Sequence, residues 1–186
     1  MTIGNHSCRS ISTFSGILVI LDIIAAVFIQ RVYGDDIMVI NIGGFTADYL
    51  LIKNGQPDLS VCGSLEDGVI VLYNHITARV NSGLDMLLDE SDIDAILKSD
   101  ANSFGNDVTG IVNSAAQAFI SDLFGKLRER AIDLRSSKAV FVGGGSILLR
   151  KQIEASGKIA HPIFVNNISA NAKGYELLYR ANKASV

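Results

Sequence analysis

The sequence predicts an α/β domain, a mixed sheet with helices packed against it, and three observations carry that prediction. Between residues 37 and 62 short apolar runs are separated by Gly, Asn and Pro, the pattern of an antiparallel meander. Beyond it the apolar period lengthens to three or four residues, and the last third alternates apolar strand, turn and helix, the order that builds parallel crossovers. With 48% hydrophobic and 19% charged residues and 2 prolines, the chain can fill a core and is not a disordered tail.

Taken in order, Ile37 to Ile42 reads as a buried strand and Ala47 to Lys53 as a second, with Gly43-Gly44 between them. Asn54-Gly55 is the dipeptide of a type I′ hairpin turn, and after Pro57 the run Leu59 to Cys62 completes three antiparallel strands. Val69, Leu72, Tyr73, Ile76 and Val80 then lie on one helix face, with Ser64 or Asp67 expected to cap it. Ser91-Asp92 begins a short helix through Lys98. Asp107 to Leu134 is expected to be one long helix whose stripe runs through Val108, Ile111, Val112, Ala115, Phe119, Leu123, Leu127 and Ala131. Lys126, Arg128, Arg130 and Arg135 gather near its end, where the helix dipole favours cations, and read as a solvated face. Ala139 to Val142 is a strand, Gly143 to Ser146 a turn, Ile147 to Ala155 a helix and Ile163 to Val165 the final strand. A terminal helix from Ala170 to Ala184, capped by Ser169 or Asn171, turns Tyr175, Leu178 and Tyr179 inward. The predicted order is βββ, helices, β, α, β, α.

At 186 residues the chain suits one domain better than two lobes. A net charge of -3 provides no field for phosphate backbones, so direct nucleic-acid binding is not expected. Cys8 and Cys62 stand far apart and His6, His75 and His161 share no ligand spacing, which argues against a disulfide framework or a zinc site and for reduced thiols in cytoplasm. Phe14 to Ile29 is almost wholly apolar, and Arg9 ahead of it imitates the charged start of a signal peptide. That run is short of the roughly 20 residues a span requires and carries Asp22 near its middle, so a strand or buried helix is expected and no membrane association.

Two glycine turns carry the chemistry. In Asn41-Ile42-Gly43-Gly44-Phe45-Thr46-Ala47-Asp48 the glycines would let backbone N–H groups approach a phosphate, with the Thr46 hydroxyl as a further donor; a turn that merely needs positive φ is the competing explanation. In Val140-Phe141-Val142-Gly143-Gly144-Gly145-Ser146-Ile147 an apolar strand runs into three glycines and a helix start, an arrangement that turns amide donors towards a ligand.

The pair resembles the phosphate and adenosine loops of the actin-like ATPase superfamily, whose lobes are RNase H-like: Asn41 to Thr46 is similar to its second phosphate loop, written D-x-G-x-x-T, and Val142 to Ser146 to its adenosine loop. Gly44 to Tyr49, Ser64 to Val69, Leu72-Tyr73-Asn74 and Ala170 to Tyr175 look like segments of the carboxyl-terminal half of its ParM/StbA plasmid-segregation branch. The resemblance implies two parts, residues 1–25 as an amino-terminal apolar segment and 26–186 as the second lobe. It further implies ATP as ligand, with Gly43, Gly44 and Thr46 at the β- and γ-phosphates and Gly143, Gly144, Gly145 and Ser146 at adenosine and the α-phosphate. Gln30, closing Val27-Phe28-Ile29-Gln30, would orient the attacking water.

Departures from the family pattern qualify those roles. Asn41 stands where the family carries aspartate; it would hold Mg2+ weakly, through water, or not at all, and hydrolysis would slow. Asp48 reads as too displaced to take its place. Ile29 replaces a proline, the helix expected between Gln30 and Asn41 is missing, and no first phosphate loop of the D-x-G-x-x-x-x-K type is present. The expectation is a fragment or truncated form of a polymerising ATPase that self-associates into filaments and moves plasmid or mobile-element DNA through an adaptor protein. An inactive nucleotide-binding or filament-contact protein and a small-metabolite kinase lobe are the alternatives.

Overall fold

The computed structural model describes residues 36–165 apart from 55, 100–102 and 137. Phe14 to Ile29, Gln30 and the predicted terminal helix Ala170 to Ala184 lie outside the described residues. Among the described residues five strands form one sheet in the order β3-β2-β1-β4-β5. β1 (Ile37–Ile42), β2 (Ala47–Lys53) and β3 (Gln56–Leu65) are antiparallel neighbours, while β4 (Lys138–Val142) and β5 (His161–Phe164) extend the sheet in parallel beyond β1. This is the mixed sheet the sequence predicts. The helices α1 (Val69–Leu84), α2 (Glu90–Lys98) and α3 (Asn106–Glu129) join β3 to β4, and the short α4 (Gly144–Leu148) and α5 (Arg150–Ala155) join β4 to β5.

Alternation along each strand divides the interior in two. Met38, Ile40 and Ile42 of β1 join Ala47, Tyr49 and Phe141 and the apolar stripes of α1, α2 and α3 in one cluster. Ile37, Val39, Leu50, Ile52, Val140 and Val142 point the other way and form a second, also buried. Both faces of β1 are therefore interior, which is why Ile37 to Ile42 reads as a continuous apolar run without polar alternation. Phe141 is fully buried at the centre, its ring 5.3 Å from that of Phe164 and 6.3 Å from that of Phe124. A buried aromatic of this kind contributes about 2–3 kcal/mol.

Several boundaries differ from the sequence expectation, each for an identifiable reason. β3 is longer than Leu59 to Cys62 because a bulge interrupts it: Leu50 pairs with Cys62 but Leu51 with Asp58. The Asp58 carboxylate accepts hydrogen bonds from the Ser60 N–H and hydroxyl, which fix the bulge and hold its pKa below the usual carboxylate value. Pro57 is tolerated since, among the described residues, β3 is an edge strand. Asn54 has φ 50, the positive value that the hairpin turn demands.

Neither Ser64 nor Asp67 caps α1, whose N-cap is Gly68 without a side-chain hydrogen bond. α2 begins at Glu90 behind an Asp89 cap, with Asp89 and Asp92 forming a reciprocal capping box. α3 stops at Glu129 instead of Leu134: Ala131 takes φ 61 and Ile132 N–H bonds back to the Leu127 carbonyl, leaving Ala131 exposed. Ala116, Ile120 and Phe124, absent from the predicted stripe, are buried because α3 packs against α1 and α2 as well as the sheet. The helix expected over Ile147 to Ala155 is two short ones meeting at Leu149, which is fully buried. β5 starts at His161 and has ended before Val165, whose N–H still bonds to the Phe141 carbonyl.

Candidate functional site

Because β1 and β4 are parallel neighbours, with Asn41 opposite Val142, their carboxyl-terminal ends open at the same edge of the sheet. In open α/β sheets this is where ligands bind. The two glycine turns of the sequence both leave from there, one into β2 and the other into α4.

The first turn is a tight hairpin closed by a Gly43 N–H to Thr46 carbonyl bond of 2.8 Å. Its carbonyls are occupied from outside: the N–H groups of Gly68, Val69 and Ile70, at the start of α1, donate to Phe45, Gly43 and Gly44 at 3.0–3.1 Å. The hairpin thus caps α1, replacing the side-chain cap expected of Ser64 or Asp67. Gly68 is required at this junction, since a Cβ would overlap the Gly44 and Phe45 carbonyl carbons. Gly43 and Gly44 themselves do not adopt positive φ, so the competing explanation of these glycines as a left-handed turn does not apply. Phe45 is 76% exposed at the tip.

The second turn is held by its own glycines. Gly143 lies at φ 88, ψ 159, a region essentially closed to other residues, and a Cβ there would overlap Asn41 Oδ1 and come within 2.6 Å of the Ile42 carbonyl oxygen. A Cβ on Gly145 would lie 2.6 Å from Val69 Cγ1 and 2.8 Å from the Ile42 carbonyl oxygen. Ser146 is fully buried; its hydroxyl donates to the Val142 carbonyl at 2.5 Å and accepts from Ile42 N–H at 3.3 Å. That hydroxyl stitches β4, α4 and β1 together and faces no ligand, so any contact of Ser146 with one falls to its main-chain N–H.

Of the residues expected at the site, Asn41, Gly43, Gly44, Thr46, Gly143, Gly144, Gly145 and Ser146 come together at this edge, while Gln30 lies outside the described residues. Asn41 is only 6% exposed and its Oδ1 has no hydrogen-bond partner among the described residues. Thr46 Oγ1 donates to Asp48 Oδ2 at 3.3 Å and Ser64 Oγ to Asp48 Oδ1 at 2.6 Å. Asp48 is not displaced from Asn41 as the sequence spacing suggests: the two are direct cross-strand partners, and Ser64 is the partner of Asp48 in turn. The hairpin folds the chain back about Gly44-Phe45, a register available from the turn residues once the turn is taken as closed at 43 and 46. Asp67 is engaged elsewhere, paired to Lys126 at 2.6 Å, which also ties one of the two basic residues in the last turn of α3 to the start of α1.

The hydroxyl protons of Thr46, Ser64 and Ser146 are given to Asp48 and Val142, so the donors this edge offers are main-chain N–H groups, suited to an anion such as a phosphate ester, with hard oxygens from Asn41, Thr46 and Asp48 beside them. Among the described residues no helix is long and apolar enough to cross a membrane.

The family model described as "Archaeal actin homologue MreB-like, C-terminal" matches residues 39–155. The archaeal actin homologue Ta0583 is similar in structure at 18% identity and TM-score 0.65, over 90% of this chain and 55% of that one. A 15-stranded ParM filament from Clostridium botulinum matches at 17% identity and TM-score 0.61, over 90% and 51%. ParM of Bacillus thuringiensis with ATP matches at 14% identity and TM-score 0.56, over 83% and 48%. The chain thus spans about half the length of these solved structures, and their likeness at such identities is one of fold. No curated protein matches.

Proposed function

We propose, from the fact that this chain belongs to the family of MreB-like archaeal actin homologues within the actin-like ATPase superfamily, that it is a nucleotide-binding lobe acting in a filament-forming assembly. One observation carries the reading. Two glycine turns separated by a hundred residues of sequence leave the same edge of one sheet, interlocked through Gly143, Asn41 and the Ile42 to Ser146 bond.

In this reading ATP or ADP lies across the two turns. Gly43, Gly44 and the Thr46 hydroxyl meet the β- and γ-phosphates; Gly143, Gly144, Gly145 and the Ser146 N–H meet adenosine and the α-phosphate. Gln30 orients the attacking water. Mg2+, when bound, offsets phosphate charge; the neutral Asn41 amide holds it more weakly than a carboxylate would. Relatives solved as a ParM filament and as ParM with ATP support self-association and nucleotide use. Segregation of plasmid or mobile-element DNA through an adaptor, in cytoplasm, is the corresponding biological role.

Asn41 favours a second reading, nucleotide binding and filament contact without turnover. Titration with a fluorescent ADP analogue and light scattering after ATP and Mg2+ addition decide between them. Scattering that rises with ATP supports the polymerising ATPase, and binding with a flat scattering trace supports the second reading. No nucleotide binding at millimolar concentration sinks both.

A further inference from the structure

Buried carboxylates are almost always paired with a cation or bound to a metal. Asp48 is 8% exposed, yet among the described residues no lysine or arginine pairs with it; its neighbours are the Thr46 and Ser64 hydroxyls, each donating to one carboxylate oxygen. Those two bonds leave lone pairs on both oxygens unused. Opposite it across the β1–β2 ladder sits Asn41, more than nine-tenths buried, with an acceptor oxygen that no donor among the described residues reaches. Side chains of direct cross-strand partners lie on the same face with Cβ atoms about 5 Å apart. Among the described residues a carboxylate without a cation therefore sits across the ladder from an unpartnered amide oxygen, which itself lies against Gly143, at the mouth of the two glycine turns. Both are hard oxygen donors.

We propose that Asp48 supplies the carboxylate with which this chain takes up a hydrated divalent cation of the Mg2+ or Mn2+ class, with Asn41 Oδ1 as a neutral oxygen of the same site. The negative charge that the family pattern places on β1 is in this chain provided from β2. A cation that keeps most of its waters suits such a site, because two protein oxygens suffice to anchor it. The inference deepens the nucleotide reading by naming the residue that holds the metal accompanying the phosphates, and it rests on that reading only for the metal's use.

The test is a titration of the full chain with Mn2+ alone, free Mn2+ being read by electron paramagnetic resonance. Without nucleotide present, its failure is distinct from failure of ADP binding, which is measured in parallel with chelator. Asp48→Asn keeps one oxygen to accept one of the two hydroxyl bonds, offers its NH2 as a donor to the other hydroxyl and removes the charge, and Mn2+ affinity is expected to fall about tenfold or more. Ser64→Ala removes a structural bond and leaves the charge; affinity is expected to stay within about threefold. Asn41→Asp, with two carboxylates side by side, is expected to tighten Mn2+ about tenfold. A wild-type chain that binds no Mn2+, or an Asp48→Asn chain that binds it unchanged, overturns the proposal. Equal losses in Asp48→Asn and Ser64→Ala overturn it as well, because the trio would then be a hairpin clamp. Should Asp48→Asn fail to fold, Asn41→Asp decides: no gain in Mn2+ affinity rejects the site.

Discussion

The two glycine turns meet at one edge of the sheet but are made rigid in opposite ways. The first, Gly43 to Thr46, is held from outside, by three amides at the start of α1 that fasten onto its carbonyls, and its own glycines sit in ordinary backbone geometry. The second, Gly143 to Ser146, is held from within, by a glycine at φ 88 pressed against Asn41 and Ile42 and by a buried serine that bridges two strands and a helix. At Gly143 and Gly145 of the second turn glycine is a packing requirement, while a Cβ on Gly144 would meet nothing within 4 Å. In the first turn packing does not demand it, and an approaching ligand is the remaining physical reason for a bare backbone there. Both glycines of the hairpin therefore carry a functional signal, whereas of the more conspicuous triple glycine only Gly144 does.

This contrast is broken or sharpened by substitution, and the largest effects belong to positions where a methyl group has no room. Gly143→Ala combines a forbidden backbone region with overlap against Asn41 Oδ1 and is expected to destabilise by about 3 kcal/mol. Thermal unfolding by circular dichroism would register that as a melting temperature lower by about 10 °C. Gly68→Ala is the counterpart for the first turn, since its Cβ would force α1 off the hairpin, and a loss of about 3 kcal/mol is expected. A near-neutral Gly68→Ala would mean that α1 does not secure the hairpin. Ser146→Ala comes next: it leaves the Ile42 N–H without its acceptor in a fully buried place, and chemical denaturation should show a loss of about 2 kcal/mol.

How much of this was legible beforehand depends on whether the interaction is local. β1, β2 and β4 are continuous apolar runs between turn residues, and their spans follow the sequence to within a residue. The mixed sheet follows from their order. Caps and ends were less legible. Nothing near Gly68 says that a hairpin's carbonyls will receive its N–H; that partner is distant in sequence, and Ser64 and Asp67 are credible caps until Asp48 and Lys126 are seen to hold them. The end of α3 turns on a left-handed Ala131, a residue type that gives no warning of such a conformation. At the site the glycines and Thr46 were visible as a motif. Asp48 reads as displaced because it stands seven residues along the chain from Asn41, a separation that the hairpin cancels by pairing the two across the ladder. The burial of the Ser146 hydroxyl depends on β1 and β4 being neighbours, which neither segment alone reveals.

Gly44→Ala is expected to change stability least, and it tests the comparison most directly. A Cβ at Gly44 would meet just one atom, Ile70 Cδ1 at 3.8 Å, an ordinary van der Waals contact, and the residue needs no positive φ. If the second turn's logic governed here too, the substitution would cost as much as at Gly143. The geometry instead limits the change in folding free energy to about 0.5 kcal/mol, with the sign open to the small entropic gain of replacing glycine. A methyl group at a backbone position that must touch phosphate does obstruct the ligand, so binding of a fluorescent ADP analogue is expected to weaken about tenfold in the same variant. Unchanged stability with weakened binding would separate the ligand-facing turn from the structural one. Unchanged stability with unchanged binding would mean that no ligand reaches Gly44, and the functional weight would shift to the other turn.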